Sequence, residues 1–191
     1  MSDKIELFRQ ATELRNQRRY VEVREIYQRI LAAFGPDSAV MVALAWAEYA
    51  ISVVSEGVDE IHGRNAIRWV EQAIASRPDQ ADYYYTWGIL LEHVGVPNYA
   101  AAARAYRRAV ELEPYHVPAL SMMATLCGVP EDVVPVEEAI LCGERAVRAE
   151  PTRSRWIVLS RLYRFAGCLE DSERALINGL LEVHEAQPIR Y

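Results

Sequence analysis

The sequence predicts an all-α protein built as a solenoid of antiparallel helix pairs, because one pattern recurs along almost its whole length. Prolines end successive segments at Pro36, Pro78, Pro114, Pro151 and Pro188, with separations of 42, 36, 37 and 37 residues. Proline lacks an N–H group and its ring clashes with the preceding turn, so it ends a helix. A period of this length is typical of stacked two-helix repeats. We therefore predict a single domain over residues 1–191 with five units, at 2–36, 37–78, 79–114, 115–151 and 152–188.

The second helix of each predicted unit has a common skeleton of a small, an apolar and a small residue, with some substitutions. Spacings of four and three residues place the three positions on one face of a helix, so we expect that face to be buried. In the fourth unit Gly143 stands where an apolar side chain is expected, which predicts a thinner contact there. The skeleton consists of Val23, Tyr27 and Ile30; Ala66, Val70 and Ala73; Ala102, Tyr106 and Ala109; Ala139, Gly143 and Ala146; and Ser172, Leu176 and Gly179.

The third unit shows the pattern most completely. Its pattern residues are Tyr84, Trp87, Gly88 and Leu91 on the first helix and Ala102, Tyr106 and Pro114 on the second. This unit resembles a tetratricopeptide repeat, in which a large apolar residue, a Leu-Gly pair and a Tyr are followed by Ala, Phe and a terminal Pro. The resemblance implies a right-handed superhelical solenoid whose first helices line a concave groove, and it implies a scaffold that binds other proteins.

The first helix of the second unit is apolar on nearly all of its faces. Between Ala39 and Val54 its only charged residue is Glu48, and a helix of this kind must be buried on most sides. Asp37 and Ser38 are suited to cap its start. The apolar surface left over is either a contact site for a partner or is covered by a long turn at 55–63, and the sequence leaves both possibilities open. The predicted buried stripe consists of Val42, Ala45, Trp46 and Tyr49.

The family resemblance implies that a second stripe on each first helix, offset from the buried one, lines the groove. Its middle is apolar and aromatic and its far end is basic, which suits a peptide with apolar anchors and an acidic end. The lysine and asparagine set of the chaperone-binding family members is absent from these positions, so that specificity is not expected. The predicted lining is Phe8, Thr12, Arg15, Val40, Ala43, Ala47, Ala50, Asp82, Tyr85, Ile89, Glu92, Ser121, Thr125, Ile157, Arg161 and Arg164.

Composition narrows the classes of function. A formal net charge of −6 and a pI near 5.3 argue against nucleic acid as a partner, because that affinity depends on neutralised phosphates. The first residues contain no apolar signal region and no long apolar run occurs later, which predicts no membrane span and makes the cytoplasm the expected location. Three cysteines at no metal-like spacing are predicted to be reduced, buried thiols.

The sequence has no signature of catalysis or of metal binding. It contains no phosphate-binding glycine loop and no GxSxG, HExxH or CxxC motif, and its four histidines belong to different units. Acidic pairs such as Glu137 and Glu138 are placed at helix starts, where they complement the helix dipole. We therefore expect no enzyme activity, no cofactor and no bound metal.

Three functions remain open at this point. The first is an adaptor that holds a segment of another protein in the groove. The second is a self-associating subunit of a homo-oligomer, because the apolar face of the final helix would have no further unit to cover it; that face contains Leu176, Leu180, Leu181 and Val183. The third is a non-catalytic subunit or regulator of an enzyme complex. The fold class does not choose among them.

Overall fold

The chain forms helices joined by short connections in the part that the computed structural model describes, which is residues 2–54, 60–129 and 132–185. The predicted ends at Pro36, Pro78, Pro114 and Pro151 each fall between two helices, and Pro188 lies outside the described residues. The helices in these ranges are α1 (Ser2–Asn16), α2 (Tyr20–Phe34), α3 (Ser38–Val54), α4 (Glu60–Ser76), α5 (Ala81–His93), α6 (Tyr99–Leu112), α7 (Val117–Thr125), α8 (Val136–Ala149), α9 (Arg153–Phe165) and α10 (Leu169–Glu185).

The helices belong to two compact units, residues 1–98 with α1 to α5 and residues 99–191 with α6 to α10. In each unit, helices that follow one another pack together, as expected for stacked helix pairs. The single domain over residues 1–191 stays a prediction. None of the helices in the described ranges is both long and apolar enough to cross a bilayer.

The core of the first unit consists of two apolar clusters. Around α1, α2 and α3 the buried residues are Ala11, Val23, Ile26, Tyr27, Ile30, Val40, Leu44 and Ala47, and around α3, α4 and α5 they are Ala45, Ala66, Val70 and Leu90. The skeleton predicted for the second helices is therefore confirmed in α2 and α4. Since α3 contributes to both clusters, it is buried on most of its faces, as its composition predicts.

The predicted register of the buried stripe on α3 is wrong by about one residue. Leu44 and Ala45 are fully buried, whereas Trp46, which the prediction placed in the core, keeps 38% of its surface exposed. Glu48 also belongs to the buried face, since it is 2% exposed and contacts the Nδ1 atom of His62 on α4. Burial of this carboxylate is tolerated because it is paired, and of the four residues in the predicted stripe only Ala45 is fully buried.

On α5 the buried tyrosine is also one residue from the predicted position. Tyr83 is buried, and its hydroxyl lies 3.0 Å from the Oγ atom of Ser38 on α3. Tyr84 and Trp87, predicted to be buried, are partly exposed. A hydrogen-bonding partner allows a tyrosine hydroxyl to be buried at low cost, and periodicity alone does not reveal such a partner.

The turn predicted at 55–63 is shorter than expected, because α4 already begins at Glu60. Gly63 is a helical residue that allows close packing: a Cβ atom added there would lie 2.6 Å from a methyl carbon of Val94. Residues 55–59 lie outside the described residues, so a covering role for this turn stays untested.

The core of the second unit follows the predicted skeleton closely. Ala102, Tyr106 and Ala109 are buried on α6, and Tyr106 has no exposed surface. On α8 the buried face contains all three predicted residues, Ala139, Gly143 and Ala146. The glycine brings α9 close, since a Cβ atom at Gly143 would lie 3.2 Å from Leu159.

The last helix departs from the skeleton at its middle position. Ser172 and Gly179 are buried as predicted, but Ala175 occupies the core position expected for Leu176, which is exposed. The hydroxyl of Ser172 donates to the carbonyl oxygen of Ser160 at 3.0 Å, so a polar contact helps to fix this face of α10 against α9.

The cysteines differ in burial, which corrects the expectation of three buried thiols. Cys142 is buried, Cys127 is partly buried and Cys168 is exposed. Burial raises the pKa of the Cys142 thiol to about 11, with nearby Glu138 adding to the shift. Burial is also the main cause that raises the pKa of Cys127, so both thiols are neutral at physiological pH.

Candidate functional site

The first unit contains a groove of about 500 Å³, which we call the Trp46 groove. The last turn of α1, one face of α2 and one face of α3 form it. Its walls are mainly apolar and aromatic, and Arg15 is the only charged residue among the described residues that line it. The lining consists of Arg15, Tyr20, Val23, Tyr27, Ala39, Val42, Ala43, Trp46, Ala47 and Ala50.

Aromatic contacts lead from Trp46 toward α5. The rings of Trp46 and Tyr49 pack edge to face with centroids 5.9 Å apart, and the ring of Tyr49 packs in the same way on His93 at 6.4 Å. Burial raises the pKa of the Tyr49 hydroxyl, which therefore stays protonated at physiological pH. These contacts fix the orientation of the indole ring, so Trp46 presents a rigid apolar surface.

The structure supports only part of the lining predicted for α3. Ala43 and Ala50 line the groove, as predicted. Val40 is 1% exposed and belongs to the core, so its assignment to the surface is wrong. Ala47 touches the groove but is only 4% exposed, so it is part of the floor. Sequence reasoning missed Val42 and Trp46 as lining residues, because it assigned both to the buried stripe.

The residues predicted on α1 lie close to this groove. Arg15 lines it and is exposed. The ring of Phe8 is partly buried and lies 6.4 Å from the ring of Tyr27, so it supports the groove from behind. Thr12 is exposed, and its hydroxyl donates to the carbonyl oxygen of Phe8 at 2.9 Å.

The residues predicted on α5 form a separate face of the first unit. Asp82 is exposed, whereas Tyr85, Ile89 and Glu92 are partly buried, and none of them lines the Trp46 groove. Burial raises the pKa of Tyr85, and the charges of Glu92 and Asp82 raise it further. The extension of the binding groove along α5 therefore stays a prediction.

The second unit contains a groove between α7 and α9, which we call the α7/α9 groove. It consists of two adjoining cavities of about 380 Å³ and 350 Å³ that share Ala124, Thr125 and Val158. The first is lined by Ser121, Ala124, Thr125, Gly143, Ala146, Thr152, Ser154, Arg155 and Val158, and the second by Ala124, Thr125, Cys127, Gly128, Val158, Arg161, Leu162, Arg164 and Phe165.

Four of the five residues predicted to line the groove in this unit do so, namely Ser121, Thr125, Arg161 and Arg164. Ile157 is exposed but lines neither cavity. Arg155, which the sequence did not single out, is part of the lining, and its guanidinium group is held by Glu150 at 3.0 Å and by the hydroxyl of Ser121 at 3.3 Å.

A third surface lies on α10, where apolar side chains are exposed. At 100° per residue, Leu176, Ile177, Leu180 and Leu181 cover an arc of about 140°, and each is about half exposed. Leu169 lies on the same side at the start of the helix and is also exposed. Leu180 and Leu181 are thus exposed as predicted, and Leu176, which the helix skeleton placed in the core, is exposed with them. The side chain of Val183 lies outside the described ones.

The described histidines have structural partners. His62 contacts Glu48, His116 accepts a hydrogen bond from the backbone N–H of Ala119 at the start of α7, and a ring nitrogen of His93 lies 2.9 Å from the carbonyl oxygen of Ile89.

Within the described ranges, no three histidine, cysteine or acidic side chains are grouped closely enough to bind a metal ion. The two grooves have neither a carboxylate nor a histidine among their described lining residues.

Comparison with known proteins identifies the fold. No family model and no curated protein matches the chain. Among solved structures, MamA is similar with a TM-score of 0.73 and 15% identity over 92% of this chain and 95% of that one. A thermophilic TPR protein of Thermus thermophilus, TTC0263, has a TM-score of 0.64 and 15% identity over 94% of this chain and 91% of that one.

A longer protein contains a similar region. In the structure of Naa15/Naa10 bound to HypK-THB, the match has a TM-score of 0.66 and 19% identity, and it covers 99% of this chain but 26% of that one. At these identities the similarity concerns the fold. The chain is therefore a helical repeat protein with a tetratricopeptide-like fold.

Proposed function

We propose that this protein is a non-catalytic interaction module that binds an apolar segment of another protein in the Trp46 groove. The observation that supports this most strongly is the exposed edge of Trp46 above a groove whose described lining is apolar apart from Arg15. An exposed indole fixed by its neighbours is the kind of residue that dominates binding energy at interfaces.

The shape and size of the groove fit side chains rather than a flat protein surface. A volume of about 500 Å³ accommodates two or three large apolar side chains. Because the floor is formed by the small residues Ala43 and Ala47, the backbone of α3 is open to close approach. A partner segment with aromatic or aliphatic anchors fits these features best.

The function is tested by selection from a random peptide library against the immobilised protein. We expect peptides with apolar anchors to be enriched, and we expect Trp46→Glu to abolish the binding of these peptides. Val96→Glu is the matched control, since Val96 belongs to the same unit, is 90% exposed and lies outside the groove. Circular dichroism of both variants establishes that helical content is unchanged. Equal binding by wild type and Trp46→Glu contradicts the proposal.

A second candidate function is self-association through the apolar surface on α10. A contiguous exposed apolar patch on a soluble protein is typical of a contact site, and this one spans several turns of a helix. We expect sedimentation at micromolar concentration to give the mass of a dimer for the wild type and of a monomer for Leu176→Glu with Leu180→Glu. A monomeric wild type contradicts this candidate and leaves the first untouched.

The remaining features of the proposal follow from charge and composition. We infer that the protein is cytoplasmic, has protein partners and binds no cofactor. A non-catalytic subunit of an enzyme complex is one example of such an interaction module. The net charge of −6 disfavours nucleic acid. A filter-binding assay with single-stranded DNA at physiological salt checks this, and micromolar affinity contradicts it.

A further inference from the structure

We propose that the α7/α9 groove binds an acidic peptide segment, with carboxylates on Arg161 and Arg164 and an apolar side chain against Phe165. This inference rests on the proposed function as an interaction module and adds the chemistry of a second partner segment. It involves only residues of the second unit, so it is tested separately from the Trp46 groove.

The first argument is the charge of α9. This helix contains four arginines and no acidic residue, although the chain as a whole has a net charge of −6. Arg155 is already neutralised by Glu150. Arg161 and Arg164 are exposed and line the groove, and neither has an ion-pair partner in the part of the chain that the structure describes.

The second argument is the arrangement of these two cations. Residues three apart on a helix are neighbours on its surface, separated by a rise of about 4.5 Å. Both guanidinium groups can therefore reach carboxylates of one short segment, and arginine binds a carboxylate in a bidentate manner. An exposed cation pair of this kind adds affinity only when an anion is supplied by a partner.

The third argument is the apolar surface beside the cations. Phe165 is 72% exposed, and it lines the same cavity as Leu162 and Val158. An inorganic anion uses none of this apolar surface, whereas a peptide places an apolar side chain on it. The net negative charge of the chain repels a polynucleotide. A peptide with acidic and apolar side chains therefore complements the cavity better than an inorganic anion or a polynucleotide does.

The length of the groove sets the length of the segment. From Thr152 to Phe165 the helix rises about 20 Å, which corresponds to an extended peptide of about six residues. The end near Thr152 and Ser121 presents hydroxyl groups, and the end near Phe165 presents the cations. We therefore place the acidic residues at the Phe165 end and neutral polar residues at the other.

Two fluorescein-labelled peptides test the proposal by fluorescence anisotropy, one with the sequence QSLEFE, which is neutral and polar at one end and acidic at the other, and one in which glutamine replaces each glutamate. We expect the acidic peptide to bind wild type about tenfold more tightly than Arg161→Gln with Arg164→Gln. The glutamine peptide should bind both equally weakly. Arg104→Gln with Arg148→Gln is the matched control, because it removes two exposed arginines of the same unit that line neither cavity.

Several results would overturn the proposal. It fails if the affinity of the acidic peptide falls equally in the control variant, or if the glutamine peptide binds as tightly as the acidic one. It also fails if inorganic phosphate or oligothymidylate competes better than the unlabelled acidic peptide. Trp46→Glu should leave this affinity unchanged. If library peptides bind at Trp46 but the acidic peptide does not bind, this inference fails while the proposed function stands. If neither binds, both fail.

Discussion

Helices α3 and α9 each supply the main wall of a groove in their own unit, and they do so with opposite chemistry. Helix α3 has a single charged residue, Glu48, which is buried, while its groove surface is formed by Trp46 and small residues. Helix α9 has four arginines, and three of them line its groove: Arg155, which is paired with Glu150, and the two without an ion pair in the described residues, Arg161 and Arg164. One scaffold position thus produces an apolar site in the first unit and a basic site in the second.

The comparison shows that charged residues mark the exposed face of α9 but not that of α3. On α9 Arg161 and Arg164 are exposed and line the groove, so charge marks the exposed face of this helix, and their binding role stays a prediction. On α3 the only charged residue is a core residue, so charge does not mark the exposed face of this helix. A buried charge is expensive unless it is paired, and its presence in α3 indicates that the Glu48 and His62 pair fixes this helix against α4.

The largest expected effect is at this pair. His62→Leu leaves the carboxylate of Glu48 buried without the imidazole, and we expect it to lower the free energy of unfolding by about 3–5 kcal/mol. The double variant with Glu48→Leu removes both groups and should recover most of that loss. Urea denaturation followed by circular dichroism measures both values. Equal stability of His62→Leu and wild type contradicts a core role for the pair.

A smaller effect separates Ala47 and Ala43, two residues on the floor of the Trp46 groove that differ in burial. Ala47→Glu places a charge at a buried position and should cost about 2–3 kcal/mol. Ala43→Glu lies at a partly exposed position of the same helix and should cost less than about 1 kcal/mol. The same denaturation assay compares them. Equally small losses at both positions would support the register that the sequence predicted for α3, in which Ala43 and Ala47 both line the groove.

How far the sequence predicts the structure depends on whether polar contacts stay within a helix or join two helices. Ala102, Tyr106 and Ala109 were predicted correctly, since their burial follows from spacing alone. The burial of Glu48 and Tyr83 depends on His62 and Ser38, which are distant in sequence. One sequence does not reveal such pairs, and for this reason the fold class was predictable whereas the lining of the Trp46 groove was not.

The smallest effect on stability is expected on α9. Because Arg161 and Arg164 have no ion pair within the described residues, replacing both with glutamine should change the free energy of unfolding by less than about 0.5 kcal/mol. Thermal and urea denaturation of this variant test the expectation. A loss above about 2 kcal/mol would assign these arginines a structural role and remove the reason for proposing a ligand.

The measurement that tests the central claim most directly is the response of the Trp46 indole to a bound peptide. The chain has four tryptophans, so a proton–nitrogen correlation spectrum resolves four indole N–H signals. The variant Trp46→Phe assigns the signal of Trp46, because that signal disappears. During titration with a library-selected peptide, we predict that the Trp46 signal shifts and saturates at one peptide per chain, while the signals of Trp69 and Trp156 change little. Saturable binding that leaves the Trp46 signal in place would contradict the account.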